Sequence, residues 1–412
     1  MNAASGRLPV LAGATIGNMV SMTPVVYSVY GTFLIPLSMT FNWPRAEISA
    51  VLTIIAFVGA ITYPLAGRYA DRHGVRGILL LGYLLFSVAL GSLATLNGRI
   101  SQLYLIYAFI GFAGGIPSTA LLSKLIADWF DSHRGLALSI SAGVGNAMGS
   151  IMMPVLAAVL IAGAGWRFAY LGIALVVLCL GVPATFFLLR DAPSAGRGIA
   201  LVESAPDLTR AWLVKDPIFW IVLISIGVAP GTGTVIFSHI VPILAEHSIG
   251  VAQATVVVSV FALATAVWQV IMGYLLDRYG TPRVVLPFYL MVLPGLGLLE
   301  WGLTAPELIL GGTCLGISCG TQFAALPFFV GRYFEIGKFG IAIGLIYSAV
   351  IAAQGTMPVL LDACFDALRS YRPAIIIAEA FFSSCALLVL LLPKYRFAAP
   401  DRNLTDMVPH PV

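Results

Sequence analysis

The chain has 412 residues, of which 59% are hydrophobic and 10% charged; its mean hydropathy is +0.98 and its net charge +4. A water-soluble chain is closer to half apolar and a quarter charged, and one soluble core cannot hide this much apolar surface, so lipid is the solvent for most of it. A small charge with no basic tail argues against nucleic acid as a partner, and the five cysteines, all in apolar runs, are spaced neither for zinc nor as disulfide pairs and read as small buried thiols.

Twelve apolar runs follow in chain order, near 10–37, 46–67, 77–97, 101–126, 135–163, 167–189, 217–245, 251–276, 283–303, 307–331, 339–363 and 372–392. Each is long enough to cross a ~30 Å hydrocarbon core as a helix. Backbone groups in lipid must be satisfied within the segment, so helices are predicted throughout. The longest polar interval, 190–216, holds Pro, Gly, Ser and both charge signs and divides the runs six and six. The expected organisation is a six-helix bundle over 1–189, a cytoplasmic linker over 190–216, and a second bundle with a short tail over 217–412. One early Arg7 with no small-residue cleavage site gives no reason to expect a signal peptide.

Orientation follows from the cations. With the N-terminus inside, only Arg45, Arg99, Arg167, Arg369 and Arg372 of the 22 Lys and Arg fall in outer loops, a strong positive-inside bias. Both termini are therefore expected in the cytoplasm. On this reading Arg45 and Arg99 should be replaceable, because orientation rests on the inner excess.

One inner turn is unusually charged. "GRYADRHGVRG", Gly67 to Gly77, joins the second and third runs, and it returns as "GYLLDRYGTPR" after the eighth. Gly67, Asp71, Arg72 and Gly74 match Gly273, Asp277, Arg278 and Gly280 at one offset. At nearly the same offset Arg134 matches Lys338, Arg167 in "WRFAY" matches Arg372 in "YRPAI", and Gly111 and Gly115 match Gly316 and Gly320. Several matches in register indicate a duplicated six-helix unit, and parallel repeats of this kind are a transporter architecture.

These features resemble the major facilitator superfamily over nearly the whole chain. The most specific element is the G-x-x-x-D-R-x-G-x-R loop, here Gly67, Asp71, Arg72, Gly74 and Arg76. "FNWPRAEIS" before the second helix and "GWRFAY" before the sixth resemble the branch of monocarboxylate porters and oxalate/formate antiporters. The resemblance implies an all-α membrane protein of twelve transmembrane helices in two pseudo-repeats, working as a monomer in the plasma (inner) membrane without a cofactor. It also implies a gate in which Asp71 accepts hydrogen bonds from the start of helix eleven across the two halves. Arg72, Arg76, Asp277 and Arg278 would complete that gate. The sequence departs from the branch at its cationic anchors: Gln269 stands where helix eight carries arginine, Ile346 roughly where helix eleven carries lysine, and Gly31 roughly where helix one does.

Polar groups within the spans are few. Tyr27, Tyr30, Asn146, His239, Gln269, Gln322, Tyr347 and Gln354 are the candidates for contact with a substrate. Each amide is also a candidate for bonding between helices. His239, just before Pro242, can change charge near neutral pH or be satisfied by a backbone carbonyl. Glu379 is read as the only acid well inside a span, which makes it, with His239, a candidate for proton coupling.

Two motif matches are set aside. "GISCG", Gly316 to Gly320, has the letters of a serine-hydrolase elbow but no strand before it; Gly312, Gly316 and Gly320 suit close helix packing instead. "GVGNAMG", Gly143 to Gly149, likewise follows no strand. No metal cluster or Walker motif is present, so the energy source expected is a gradient of protons or of a counter-solute. The expected function is non-enzymatic: secondary transport of a small organic solute, most simply a monocarboxylate with an aromatic or other apolar body, by proton symport and alternating access. The alternatives are export of a neutral hydrophobic compound, or a membrane sensor that has lost transport.

Overall fold

The computed structural model describes residues 3–130, 137–191, 215–279, 281–302, 304–334 and 336–396. Among the described residues the regular structure is helical, and twelve helices have the length and apolarity to span a membrane. In chain order these are α1 (Arg7–Tyr27), α2 (Arg45–Gly67), α3 (Val75–Thr95), α4 (Ile100–Ile126), α5 (Ile140–Ala164), α6 (Trp166–Leu188), α7 (Pro217–Glu246), α8 (Val251–Leu276), α9 (Pro282–Trp301), α10 (Ala305–Tyr333), α11 (Leu345–Leu368) and α12 (Arg372–Leu390). Each coincides with a predicted run. The linker predicted at 190–216 lies largely outside the described residues.

Several helices extend beyond these spans. α1 turns through Thr23–Tyr27 in π geometry behind Pro24 and continues as a helix over Tyr30–Phe41. The helix containing α2 runs to His73, and the one containing α11 starts at Ile336. Further π turns interrupt α5 at Ser139–Val144 and α7 at Leu223–Val228. Such bulges free backbone groups and widen a helix, and they recur where helices line functional sites.

Chain ends of the helices are satisfied locally. Asp216 caps α7 through the amide of Ile218 at 3.0 Å and pairs with Arg396 at 2.5 Å. Thr304 and Glu307 form a reciprocal capping box at the start of α10. Between α2 and α3, Gly74 has φ 86°, and a Cβ there would come within 2.7 Å of an Asp191 carboxylate oxygen. Only glycine meets both demands.

The apolar core divides with the repeat. One buried cluster runs from Ile218 to Leu392, and two others lie between Val10 and Leu189. Within the second half, Gly312, Gly316 and Gly320 of α10 press on the α8 backbone; a Cβ on Gly316 would lie 2.6 Å from the Phe261 carbonyl oxygen. That is the close packing predicted for "GISCG", and Ser318 there simply donates to the Tyr289 carbonyl at 2.6 Å. Gly145 and Gly149 of "GVGNAMG" likewise bring α5 against the α1 backbone. Of the cysteines, Cys314, Cys319 and Cys385 are buried as expected, while Cys364 is partly buried and Cys179 is exposed on α6.

Between the halves α2 packs along α11 and α5 along α8. The end of the bundle that carries Ala3 and Arg396 is called inner here, and the opposite end outer. The cross-half hydrogen bonds made by Arg45, Ala46, Ser49, Thr53 and Ser259 all lie toward the outer end.

Candidate substrate cavity and outer seam

A cavity of about 410 Å³ lies between the halves. α1 contributes Thr23 and Tyr27 at its π turn, and α5 contributes Asn146 just after its own. The second half adds Thr234 and Phe237 from α7, Gln269 from α8, Phe323 from α10, and Tyr347 and Gln354 from α11. No Asp, Glu, Lys, Arg or His is among the described lining residues. The wall is thus aromatic and apolar with dispersed amides and hydroxyls, which suits an apolar body with a polar head.

The polar wall of the first half is fixed by a network of side chains. Asn146 donates to the Ala142 carbonyl at 2.8 Å and accepts from Ser21 at 3.1 Å. Thr119 donates to Asn18 Oδ1 at 2.8 Å, and Asn18 donates to Ser141 at 3.1 Å. The network ties α1, α4 and α5 together and holds Asn146 in one orientation. Across the cavity Gln354 donates to Thr234 at 3.2 Å.

The structure therefore brings five sequence candidates, Tyr27, Asn146, Gln269, Tyr347 and Gln354, to one cavity. The other three lie elsewhere. Gln322 is buried between α10 and α7, donating to Ser318 at 3.0 Å, and its carbonyl oxygen has no partner among the described residues. Tyr30 and His239 sit outward of the cavity in a fully buried cluster.

That cluster is centred on Asp362, which sequence reasoning missed. Asp362 is wholly buried within the helix that runs to Leu368, so Glu379 is not the only acid well inside a span. Asp362 Oδ1 accepts from the Tyr371 hydroxyl at 2.6 Å. Oδ2 accepts from Ser49 across the seam and faces His239 Nε2 at 3.1 Å. The Tyr30 hydroxyl lies 2.5 Å from Ser49 Oγ. A buried acid persists only when paired and hydrogen-bonded, and here both conditions are met. Glu379 is half-buried on α12, which packs within the second half, and it lines neither the cavity nor the seam. The sequence held one signal for Asp362: the apolar pattern continues through Cys364, Phe365, Ala367 and Leu368, which places the acid inside the span and not at its edge.

The seam is completed by two further devices. Asp366 accepts from the amides of Arg45 at 3.2 Å and Ala46 at 2.9 Å, a carboxylate seated on the first turn of α2. The Arg45 guanidinium lies 3.8 Å over the Phe365 ring and donates to the Tyr371 hydroxyl at 3.0 Å. Arg45 is therefore not the freely replaceable loop residue expected from topology; it bonds one half to the other.

At the inner end, the side chains of Asp71, Arg72 and Asp277 lie outside the described residues. Arg76 donates to the Phe186 carbonyl at 2.5 Å, at the C-terminal turn of α6, and Asp191 accepts from the Val75 amide at 2.6 Å. Arg278 donates to Tyr274 on its own helix at 2.9 Å. The contacts seen for Arg76 and Arg278 thus stay within their own halves.

Twelve spans around a central cavity, joined by a hydrogen-bonded seam at one end, define an integral membrane transporter. The family model described as Major Facilitator Superfamily matches residues 16–247 and 228–410, and the chain belongs to that family. It is 27% identical over 258 residues to the MFS-type transporter YcxA of Bacillus subtilis (strain 168), a match covering 62% of each chain. It is 25% identical over 381 residues to monocarboxylate transporter 11 of Mus musculus, covering 88% of this chain and 83% of that one. To the oxalate:formate antiporter of Oxalobacter formigenes it is 22% identical over 280 residues, covering 67% and 65%. Among solved structures, that of the nucleoside transporter NupG superimposes with a TM-score of 0.73 at 14% identity, covering 95% of this chain and 98% of that one. A bacterial homolog of the human lysosomal transporter Spinster, in an inward-facing and unoccupied conformation, gives 0.64 at 15%, covering 94% of each. At these identities the structures establish the fold.

Proposed function

We propose that the protein is a secondary active transporter that moves a small monocarboxylate with an apolar body, together with a proton, by alternating access. The lining of the central cavity carries this reading, since its described residues bring aromatic rings, amides and hydroxyls but no charged group. A bare carboxylate there loses several kcal/mol of hydration, roughly, with no counter-charge. A carboxylate accompanied by a proton is neutral overall and fits. The relatives named for monocarboxylate and oxalate:formate transport support the carboxylate class.

The two bundles, 1–189 and 217–412, are the units that rock about the linker, with both termini cytoplasmic in the plasma membrane and the monomer as the working unit. Asp71, Arg72, Arg76, Asp277 and Arg278 form the inner gate. The seat of Asp366 on the first turn of α2 supports that assignment, because it is the same device at the opposite end of the molecule. His239 is not free to receive a substrate carboxylate while Asp362 occupies its Nε2 side, so its part in proton coupling replaces its part in binding.

The uncharged lining also favours a second reading, in which a neutral hydrophobic compound is exported. Uptake of 4-hydroxyphenylacetate and of its amide into proteoliposomes, corrected with protein-free vesicles, separates the two. Stimulation of the acid alone by an inwardly directed proton gradient is the expected result. Gradient-independent movement of the amide with none of the acid establishes the second reading instead. Gln269→Arg is expected to tighten carboxylate binding by roughly tenfold, the effect of one charge-assisted contact in a cavity that has none, and to slow turnover. Unchanged binding by equilibrium titration counts against Gln269 as a contact.

A further inference from the structure

We propose that the outer seam closes over one bound proton, held between His239 Nε2 and Asp362 Oδ2, and that this is the proton carried with the solute. The second part rests on the symport reading above.

The argument is one of hydrogen-bond polarity. His239 Nδ1 lies 2.9 Å from the Val235 carbonyl oxygen and 2.9 Å from Ser238 Oγ. A carbonyl only accepts, and the Ser238 hydroxyl gives its own hydrogen to that same carbonyl at 2.8 Å. Nδ1 therefore carries a hydrogen. Nε2 and Oδ2, 3.1 Å apart, then have one proton to share. With it on nitrogen the pair is imidazolium and carboxylate; with it on oxygen the pair is neutral imidazole and neutral acid. Without it, two lone pairs face each other between side chains that are both wholly buried, with no room for water.

The surrounding charges do not remove this requirement. From α2, Arg45 reaches the Tyr371 hydroxyl and not the carboxylate. Asp366, one turn further along the same helix as Asp362, is engaged by the α2 amides, and Glu246 at the end of α7 accepts from the Tyr371 amide at 2.9 Å. What faces the pair otherwise is hydroxyl: Ser49 and Tyr30 from the first half, Tyr371 from the start of α12.

The site has an approach from each side. Ser49 and Tyr30 belong to one half, and Asp362, His239 and Tyr371 to the other, so parting the halves at the outer end exposes the pair to receive a proton. On the inner side, Ser238 borders a narrow gap together with Tyr27, Thr234 and Gln354, and these three also line the cavity. In the closed state one proton passes from the imidazolium to the cavity side by way of Ser238, which leaves a neutral imidazole and a carboxylate. The seam loosens, and the ring's remaining hydrogen settles on Nδ1 opposite the Val235 carbonyl, so that Nε2 and Oδ2 again lack the proton they share. Only N–H and O–H bonds change, and each proton taken up outside is matched by one released inside.

Spin labels at Met39→Cys and Leu368→Cys, in a background without the native cysteines, report the seam by pulsed electron resonance with no solute present. Both positions are exposed, at 80% and 59%. The closed-to-open ratio is expected to fall about tenfold per pH unit above the titration point of the pair, the slope of a single proton. Asp362→Asn should stay closed from roughly pH 5 to roughly pH 9, since a neutral amide leaves no carboxylate to be protonated. His239→Gln should move the fall to lower pH, because a carboxyl alone is the weaker base. It serves as the test if the asparagine variant does not insert. A wild-type ratio that is flat over this range, or an unaltered pH response in the variant tested, overturns the proton site. Acid-driven uptake with a pH-independent seam overturns this proposal alone; a proton-sensitive seam with no acid-driven uptake overturns the symport reading alone.

Discussion

Replacing Gly31 with leucine is expected to lower transport roughly a hundredfold while leaving the protein folded and inserted. Gly31 lies in the helix Tyr30–Phe41, where the first half meets α7 of the second. A Cβ at this position falls inside the contact distance of the Ser238 carbonyl oxygen and 2.9 Å from Pro242 Cδ. Neither is the flexible end of a side chain, so relief requires the two halves to separate. The clash exists only where the halves meet, and the buried cores of each bundle are untouched. Overpacking of this kind costs about 1–3 kcal/mol, more where backbone is the neighbour, and here it penalises only the state with the outer seam closed. Reaction of Thr53→Cys with a membrane-impermeant maleimide from the outer face reads the outcome. Thr53 bonds the Gly355 carbonyl in the closed seam, so it should be protected in the parent and labelled in the leucine variant. Equal protection in both shows that the seam tolerates the side chain. The same contact explains why a helix-one lysine of the monocarboxylate branch has no counterpart here: the position roughly equivalent to it has no space for a side chain.

Ala147→Trp should abolish solute binding, by roughly a hundredfold or more, with little effect on the seam. Ala147 lines the cavity one residue after Asn146 on α5. An indole there occupies much of a cavity of about 410 Å³, which a bound ligand otherwise fills. The substitution places bulk in open space and not in a packed core, so thermal stability should change little. Solute-induced quenching of tryptophan fluorescence, or isothermal titration, measures the loss. Undiminished affinity means that the solute binds elsewhere.

The spans were legible because lipid leaves little choice: an apolar run of the right length must satisfy its own backbone, and the predicted runs overlie the observed helices closely. The duplication was legible because repeated turns keep repeated residues. Part of the cavity was legible for a similar reason, since a mid-span amide such as Gln269 or Asn146 is conspicuous among leucines and valines. The seam was not. Asp362 lies near the end of its apolar run, and its importance comes from Ser49, His239 and Tyr371, distant in sequence and brought together only by packing α2 and α7 on α11. His239 was conspicuous, but its partner, Asp362, decides what it meets, and that partner is a tertiary fact. Arg45 misled for the opposite reason: a cation in a short outer loop suggests topology, and nothing local reveals the Phe365 ring or the Tyr371 hydroxyl that it meets.

A proton and a solute are expected to move together through a cavity with no charged side chain among its described lining residues. This is tested most directly by following both in one preparation. Proteoliposomes holding a trapped pH indicator, given radiolabelled 4-hydroxyphenylacetate with no imposed gradient, should acidify inside as label enters, in a ratio of about one proton to one solute. Asp362→Asn, whose outer seam stays closed, should lose both net accumulation and exchange of internal for external label. Entry of label with no internal acidification, beyond what protein-free vesicles show, contradicts the account.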